Sequence, residues 1–419
     1  MSSSTISAPL KQLEQLIVSA FANIEAWLRE EYSRTPPPFY CSTDLRNNGY
    51  KIAPVDTNLF PGGFNNLSPT NYPLAVAAIR HQTDILCPNA KSLLLIPENH
   101  TRNLAYLDNV ATLKQLIEMA GIHVKIGRLD GNTTQVTSAN GTVLEMDAVR
   151  KENGRLYCQD FMPCAVLLNN DLSNGVPPLL ENIEIPILPP PQLGWALRKK
   201  SQHFSHYTRV AEQFAELLQV DPWLFSADFH VCKKIDFQKR EGMECLAAAI
   251  DETLAQVQEK YRQHGIEDES YVVLKANAGT YGMGIMMVKD AAAVFNLNRK
   301  QRNKMATNKE NAKVQDVLIQ EGIATLDSYN EAAAEPVVYM IGGATVGGFY
   351  RVNATRSSSD NLNSGGMSFS PLPFETNCAP PMQKPSDHVA ARLYVYSVIG
   401  RLANLAAARE VHAVNSIAD

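Results

Sequence analysis

At 419 residues, 45% of them hydrophobic and 19% charged, the chain can bury one large core or two to three smaller ones. A net charge of −5 leaves no polybasic footprint, which speaks against a nucleic-acid partner, and no apolar run approaches the roughly 20 residues that a membrane-spanning helix needs. The N-terminus MSSSTISAPLKQLEQLIVSAF lacks the basic stretch and long apolar core of a signal peptide, and seven scattered cysteines without a C-x-x-C pair fit reduced thiols in a cytoplasm rather than disulfides or a structural zinc.

From the N-terminus, Leu10, Leu13, Ile17, Phe21, Ile24 and Leu28 recur at helical spacing and predict a helix over 8–34, stopped by Thr35-Pro36-Pro37-Pro38. FYCSTDL and YKIAPVDT read as two short strands around Arg46-Asn47-Asn48-Gly49, where Asn-Gly is a hairpin signal. A loop, FPGGFNNLSPTNYP, leads to a helix near Leu74–Leu86, a buried strand at 92–98, a helix over Leu104–Ala120 and a strand HVKIGRL. This alternation predicts a parallel α/β layer of Rossmann-like type. Polar hairpins over Thr133–Gln159 and a strand at 165–171 follow, and the proline-rich IEIPILPPPQLGW marks a boundary near 195.

Beyond it the order changes: a helix at about 203–218, strand ADFHVCKKI, a helix over 243–263 and strand SYVVLKA. The polar stretch 297–316 reads as an exposed segment or helix. Strands DVLIQEGI, EPVVYMIGG and ATVGGFYRVNA come next, and a helix at about 386–409 closes the chain. The predicted organisation is therefore an N-terminal helix and hairpin (1–70), an α/β domain (71–195) and a nucleotide-binding domain (196–419).

Ser270–Asp290 carries the most chemistry. Its strand ends in Lys275 and runs into a turn with Gly279, Gly282 and Gly284 before a second apolar strand. One cation and several bare N–H groups are thereby set around a phosphate chain, with glycine wherever a Cβ would block backbone approach. It is not a Walker loop, since no G-x-x-x-x-G-K-[ST] occurs and a strand follows the turn.

The order helix, strand, helix, strand with lysine, glycine loop, hinge strand, hairpin with arginine and N-L-x-x-G-G resembles the ATP-grasp fold over about 196–370. The resemblance implies ATP held between two α+β lobes. It implies that Lys275 reaches the α-phosphate and the adenine side, and that Lys200 or its neighbour Lys199 supplies the first lysine. Gly279, Thr280, Gly282 and Gly284 would form a lid over the β- and γ-phosphates. Gln320, Glu321 and Ile323 would form the hinge that reads adenine. Arg351 would face the transferred phosphoryl group, with Asn361, Gly365 and Gly366 on the triphosphate side. Asp327 and Glu335 are candidates for the ribose hydroxyls.

The same resemblance implies Mg²⁺, held by an acid on one strand and an acid-x-Asn on the next. That pair normally follows N-L-x-x-G-G by one helix, but here the chain ends after its last helix; Glu375-Thr376-Asn377 comes too early and beside prolines. The N-terminal hairpin offers an alternative, with Asp44 on one strand, Asp56-x-Asn58 on the other and Pro61-Gly62-Gly63 after them. The expectation is a terminal strand pair permuted to the N-terminus, with Asp44, Asp56 and Asn58 as metal ligands.

VDTNLFPGGFNNL, LLNNDLSNGVP and GWALRKKSQHF, with LKANAGTYGMGI and N-L-x-x-G-G, resemble the small bacterial glutamate–cysteine ligase family over nearly the whole chain. The resemblance implies ATP-dependent formation of γ-glutamylcysteine from glutamate and cysteine through an acyl phosphate, the first step toward glutathione. Arg46, Asn65, Asn66 and Arg102 are candidates for the substrate carboxylates, because guanidinium groups bind carboxylates bidentately. Asn169, Asn170 and Ser173 are candidates to line the same crevice. The alternatives are another ATP-grasp carboxylate–amine ligase of glutathione synthetase type and a nucleotide-binding protein without turnover.

Overall fold

The apolar stripe near the N-terminus winds two helices, α1 (Ala8–Ser19) and α2 (Phe21–Arg34), rather than the single one expected. Ala20, at φ −84° and ψ 8°, makes the break, and Leu10, Leu13, Ile17, Ile24 and Leu28 from both helices are buried in one core. Thr35 takes an extended φ of −134° before the prolines, where the helical region is sterically closed. This computed structural model describes residues 8–86, 92–99, 103–279, 284–306, 314–374, 384–385 and 387–418.

β1 (Tyr40–Asn47) and β2 (Ile52–Asn58) form the expected antiparallel hairpin. Gly49 takes φ +90° at its tip and donates its N–H to Asn47 Oδ1 at 2.9 Å. After α3 (Tyr72–Leu86) comes the predicted parallel layer: β3 (Ser92–Pro97), α4 (Leu104–Met119), β4 (His123–Arg128), β5 (Thr134–Thr137), β6 (Val143–Glu152), β7 (Arg155–Cys158), β8 (Ala165–Asn169) and β9 (Ile187–Leu188). Its order is β5-β6-β4-β3-β8-β9, with β7 on β6 and β3 parallel to both β4 and β8. Leu94, Ile96, Val166 and Leu168 enter one core while Leu93, Leu95 and Leu167 enter another, so both faces are covered and the strand reads as an unbroken apolar run.

The next elements are α5 (Lys200–Leu218), β10 (Phe229–Cys232), α6 (Met243–Gln263), β11 (Val272–Ala276), β12 (Met286–Val288), α7 (Arg299–Ala306) and β13 (Val317–Glu321). The strands make an antiparallel sheet in the order β10-β13-β11-β12. Alternation along β11 sends Val272, Leu274 and Ala276 into the core with Leu246 and Ile250 of α6, and leaves Val273 and Lys275 on the opposite face.

β14 (Ser328–Tyr329), β15 (Ala332–Ile341), β16 (Ala344–Asn353), β17 (Ser368–Pro371) and α8 (His388–Ala418) complete the described chain. The large sheet runs β17-β16-β15-β1-β2, with β14 on β15, so the N-terminal hairpin is carried into the C-terminal sheet and Asp44 lies opposite Val337. α8, longer than expected, buries Val398, Ile399 and Leu402 with Val338 and Met340. The mixed α/β class is the expected one, and the β1–β2 hairpin forms one edge of a sheet otherwise built from C-terminal strands. Among the described residues, no helix is long and apolar enough to cross a membrane.

Candidate active site

The small and large sheets face each other across a cleft lined by Lys275, Gly279 and Gln320 on one side and by Asp44, Asp56, Glu335 and Arg351 on the other. Lys275, near the end of β11, donates to Val55 O at 2.9 Å and Gln320 Oε1 at 2.8 Å. Burial pushes its ammonium down to about 8, with Asp56 opposing and the Lys200 and Arg46 charges reinforcing the shift. A lysine whose hydrogen bonds run to neutral acceptors in this way is short of negative charge.

Lys200 opens α5 with its N–H on Asn277 O at 2.7 Å, so the helix start is tied to the residues that enter the glycine turn. Its Nζ donates to both Asp56 oxygens, at 2.6 and 2.8 Å, and lies 4.7 Å from the centre of the Trp195 ring. Arg198 braces this corner. It donates to Thr57 O at 2.6 Å and bidentately to Glu410 of α8, both at 2.8 Å. Burial alone would raise the Asp56 carboxyl, but Lys200, Lys275 and Arg198 outweigh it and hold it below its ordinary value.

Asp44 sits opposite Asp56 across the hairpin and begins a chain of charges. Arg351 Nη1 donates to Asp44 Oδ2 and to Glu335 Oε1, each at 2.6 Å, and Arg46 Nε donates to Glu335 Oε2 at 2.6 Å. Burial raises the Asp44 carboxyl, with Glu335 and Asp56 adding to the rise against Arg351. Arg351 Nε is buried and has no hydrogen-bond partner among the described residues.

Of the residues singled out from sequence, Asp44, Arg46, Asp56, Lys200, Lys275, Gly279, Gln320, Glu321, Ile323, Arg351 and Asn361 line this one cleft. Gly279 and Gly284 flank the glycine turn at φ +112° and +66°, while Thr280, Gly282, Arg102, Glu375 and Asn377 lie outside the described residues. Gly365 and Gly366 follow the lining residues Asn363 and Ser364 without lining the cleft themselves.

Other expectations meet different surroundings. Asn58 is not among the lining residues: its Oδ1 accepts from Phe60 N at 2.8 Å and its Nδ2 donates to Phe60 O at 3.2 Å, the turn role open to any Asn. Asn65 and Asn66 lie in a 3₁₀ turn over Phe64–Asn66 and are not among the lining residues. Lys199 pairs with Asp316 at 2.9 Å instead of entering the cleft. Asp327, outside the lining set, accepts from Tyr396 Oη at 2.7 and 2.8 Å, whereas Glu335 does line the cleft, with its carboxylate shared between Arg46 and Arg351. Asn169 donates to Pro61 O at 2.8 Å as a buried brace.

A family model described as GshA, glutamate–cysteine ligase, matches residues 14–411. The chain belongs to this family. A crystal structure from Methylobacillus flagellatus KT, at 1.90 Å and provisionally named as a gamma-glutamylcysteine synthetase, is 46% identical, covers 98% of each chain and superposes with a TM-score of 0.90. Two other likenesses are slight. A glutathione synthetase-like effector from Globodera pallida is 13% identical over 87% of this chain and 83% of its own, with a TM-score of 0.38. D-alanyl-alanine synthetase A from Vibrio cholerae is 11% identical over 60% and 68%, with a TM-score of 0.27. No curated protein matches.

This GshA family member also lines its cleft with residues that the sequence reading passed over: Trp195, Tyr271, Lys304 and Arg356. Arg356 stands five residues before the asparagine of N-L-x-x-G-G, and Trp195 ends the proline linker just ahead of the lysine pair. Those positions are the signals that could have found them. Lys304, in a stretch of like charges, has no comparable mark.

Proposed function

We propose that the chain ligates the γ-carboxylate of L-glutamate to the amine of L-cysteine in an ATP-dependent, ADP-forming reaction, giving γ-glutamylcysteine, the first step toward glutathione. Membership of the glutamate–cysteine ligase family supports the substrates. The observation that carries the chemistry is the meeting of Lys275 and Lys200 with Asp44 and Asp56 in one cleft. In this reading ATP transfers its terminal phosphoryl group to the γ-carboxylate, and the cysteine amine displaces phosphate from the acyl phosphate. Both reactants of the first step are anions, so fixed positive charge lowers the barrier. Lys275 and Lys200 hold the phosphates, Arg351 the moving phosphoryl group, and Gln320, Glu321 and Ile323 the base. The glycine turn that Gly279 and Gly284 bracket is assigned to the triphosphate side, where a cover would keep water from the acyl phosphate. Asn361, Gly365 and Gly366 edge the triphosphate side.

The donor set fits Mg²⁺. Asp44 and Asp56 offer hard carboxylate oxygens from adjacent strands, and one or two carboxylates plus substrate phosphates is the set this ion uses. Among the described residues, no group of three or more His, Cys, Asp or Glu could hold a metal without the nucleotide. The bound ion would neutralise charge on the triphosphate. Asp44 and Asp56 are paired with Arg351 and Lys200, so to hold the ion the two carboxylates would give up these cations, which would then be free for phosphate oxygens. The reaction and the family's small-molecule substrates suit a cytoplasmic enzyme.

An ADP-release assay decides. Release is expected with glutamate plus cysteine and not with γ-glutamylcysteine plus glycine. The opposite preference replaces this reading with a glutathione synthetase-like one, and no release with any amino-acid pair leaves a nucleotide-binding protein.

A further inference from the structure

We propose that Cys232 and Cys245 form a disulfide when the folded protein meets a small disulfide, with Cys245 as the thiol that attacks first and Cys232 as the resolving thiol. Their Sγ atoms lie 3.7 Å apart, and Cys232 Sγ is 3.5 Å from Cys245 O. A disulfide holds its sulfurs at about 2.05 Å, so closure needs less than about 2 Å of movement shared by two side chains. The exposures are complementary: Cys232 ends β10 at 3% exposed, whereas Cys245, in the first turn of α6, is open to solvent.

The fold holds the two together. Asp236 and Glu241 exchange backbone hydrogen bonds at 3.1 and 3.0 Å, and Gly242 at φ +77° then turns the chain into α6. A Cβ at Gly242 would lie 2.8 Å from Ile235 Cδ1 and 3.3 Å from Lys234 O, so this connection has no slack. The other described cysteines face different partners: Cys41 meets Asn404 Oδ1, Cys158 the Asp147 carbonyl and Cys164 Ser92 Oγ. A metal accounts less well for the pair, because among the described residues no third ligand completes a site.

The exchange balances without a further reactant. The Cys245 thiolate attacks one sulfur of RS–SR, forming a mixed disulfide and releasing RS⁻. Cys232 gives its proton to solvent and attacks Cys245 Sγ, expelling a second RS⁻. The protein loses two electrons and two protons, and the small disulfide becomes two thiols. Burial, together with the neighbouring Cys245, pushes the Cys232 thiol up to about 12 in the reduced protein, in keeping with the exposed Cys245 reacting first. The bridge staples α6 to β10, and Cys232 lies opposite Val317 at the start of β13, the strand that carries Gln320 to the cleft. This inference stands apart from the proposed reaction, and either can fail without the other.

The test uses the full chain, reduced, freed of reductant and incubated with cystine under native conditions, then alkylated and peptide-mapped by mass spectrometry. The expected product is lighter by two hydrogens, joins the peptides holding residues 232 and 245, and melts several degrees higher; dithiothreitol reverses all three changes. Cys245→Ser should show none of them, and Cys232→Ala should stop at a cysteinyl adduct on Cys245. A lasting adduct on Cys245 of the parent chain, two freely alkylated thiols, or a bridge to another cysteine overturns the proposal. So does a Cys232→Ala variant that takes up no cystine.

Discussion

Lys51 Nζ donates to both carboxylate oxygens of Glu321, at 2.9 and 2.8 Å, with neither side chain exposed at all. The ammonium also stands 3.9 Å from the centre of the Trp223 ring. Lys51 belongs to the N-terminal hairpin and Glu321 to the hinge strand of the small sheet, so this one pair fastens the two lobes where the chain crosses between them.

Burial pulls both members toward their neutral forms, lowering the Lys51 ammonium and raising the Glu321 carboxyl, so the pair is held against a desolvation cost. Lys51→Met, which leaves a buried carboxylate alone, is expected to destabilise the fold by about 3–5 kcal/mol. Lys51→Met with Glu321→Leu should recover most of that loss. Urea midpoints of the three proteins measure both effects, and a single variant as stable as the parent would contradict the account.

Lys275 binds its proton weakly in the fold, at about 8 against an ordinary 10.5. Between those values the unfolded chain holds more protons, so this group makes the ligand-free protein more stable as pH rises from about 8 toward 10.5. Phosphate favours the charged form and reverses the preference. ATP is therefore expected to bind with proton uptake near pH 8 and to weaken as pH rises through it. Calorimetry in two buffers of different ionisation enthalpy reads the uptake, and Lys275→Ala should abolish both the uptake and turnover while leaving the fold intact.

Asp56→Ala removes a proposed metal ligand and frees Lys200 from its carboxylate partner. Turnover should fall by about 100-fold or more with the far-ultraviolet spectrum unchanged. Asn58 offers no substitute ligand, because its side chain is engaged in its own turn, so raising Mg²⁺ should restore little. Parent-like rates in the variant would remove Asp56 from the site.

Gly322 is fixed by packing. A Cβ there would lie 2.1 Å from Tyr271 Cε2, and Tyr271 is itself a wall of the cleft. Gly322→Ala should cost about 1–3 kcal/mol and weaken ATP binding, whereas Gly322→Ala with Tyr271→Ala should regain stability. Thermal midpoints with and without ATP separate the two effects.

Local rules in the residues were enough for much of the fold. Asn-Gly placed the β1–β2 tip, the apolar run at 92–98 read as a strand buried on both faces, and Lys275 and Gly279, singled out together, line one cleft. Local rules failed where a choice depended on distant chain. The break at Ala20 is invisible in the periodicity of α1 and α2, which share a core with the C-terminal helix about 370 residues away. Asn58 and Asp56 are equally good oxygen donors on paper, and Lys199 and Lys200 equally good cations. The first turn of α5 sends Lys200 to Asp56 and Lys199 to Asp316, while Asn58, on the same face of β2 as Asp56 but at the strand's end, is taken up by its own turn through Phe60.

The amino-acid order alone established the α/β class, the family likeness and the cationic glycine turn, because each is written in short-range spacing. Only tertiary structure could decide that a hairpin at residues 40–58 lies beside β15, that Arg351 is shared between Asp44 and Glu335, and that Lys275 faces neutral oxygens. Those facts depend on sheet pairing across about 300 residues, and on a dielectric environment that exists only once the lobes have closed around the charges.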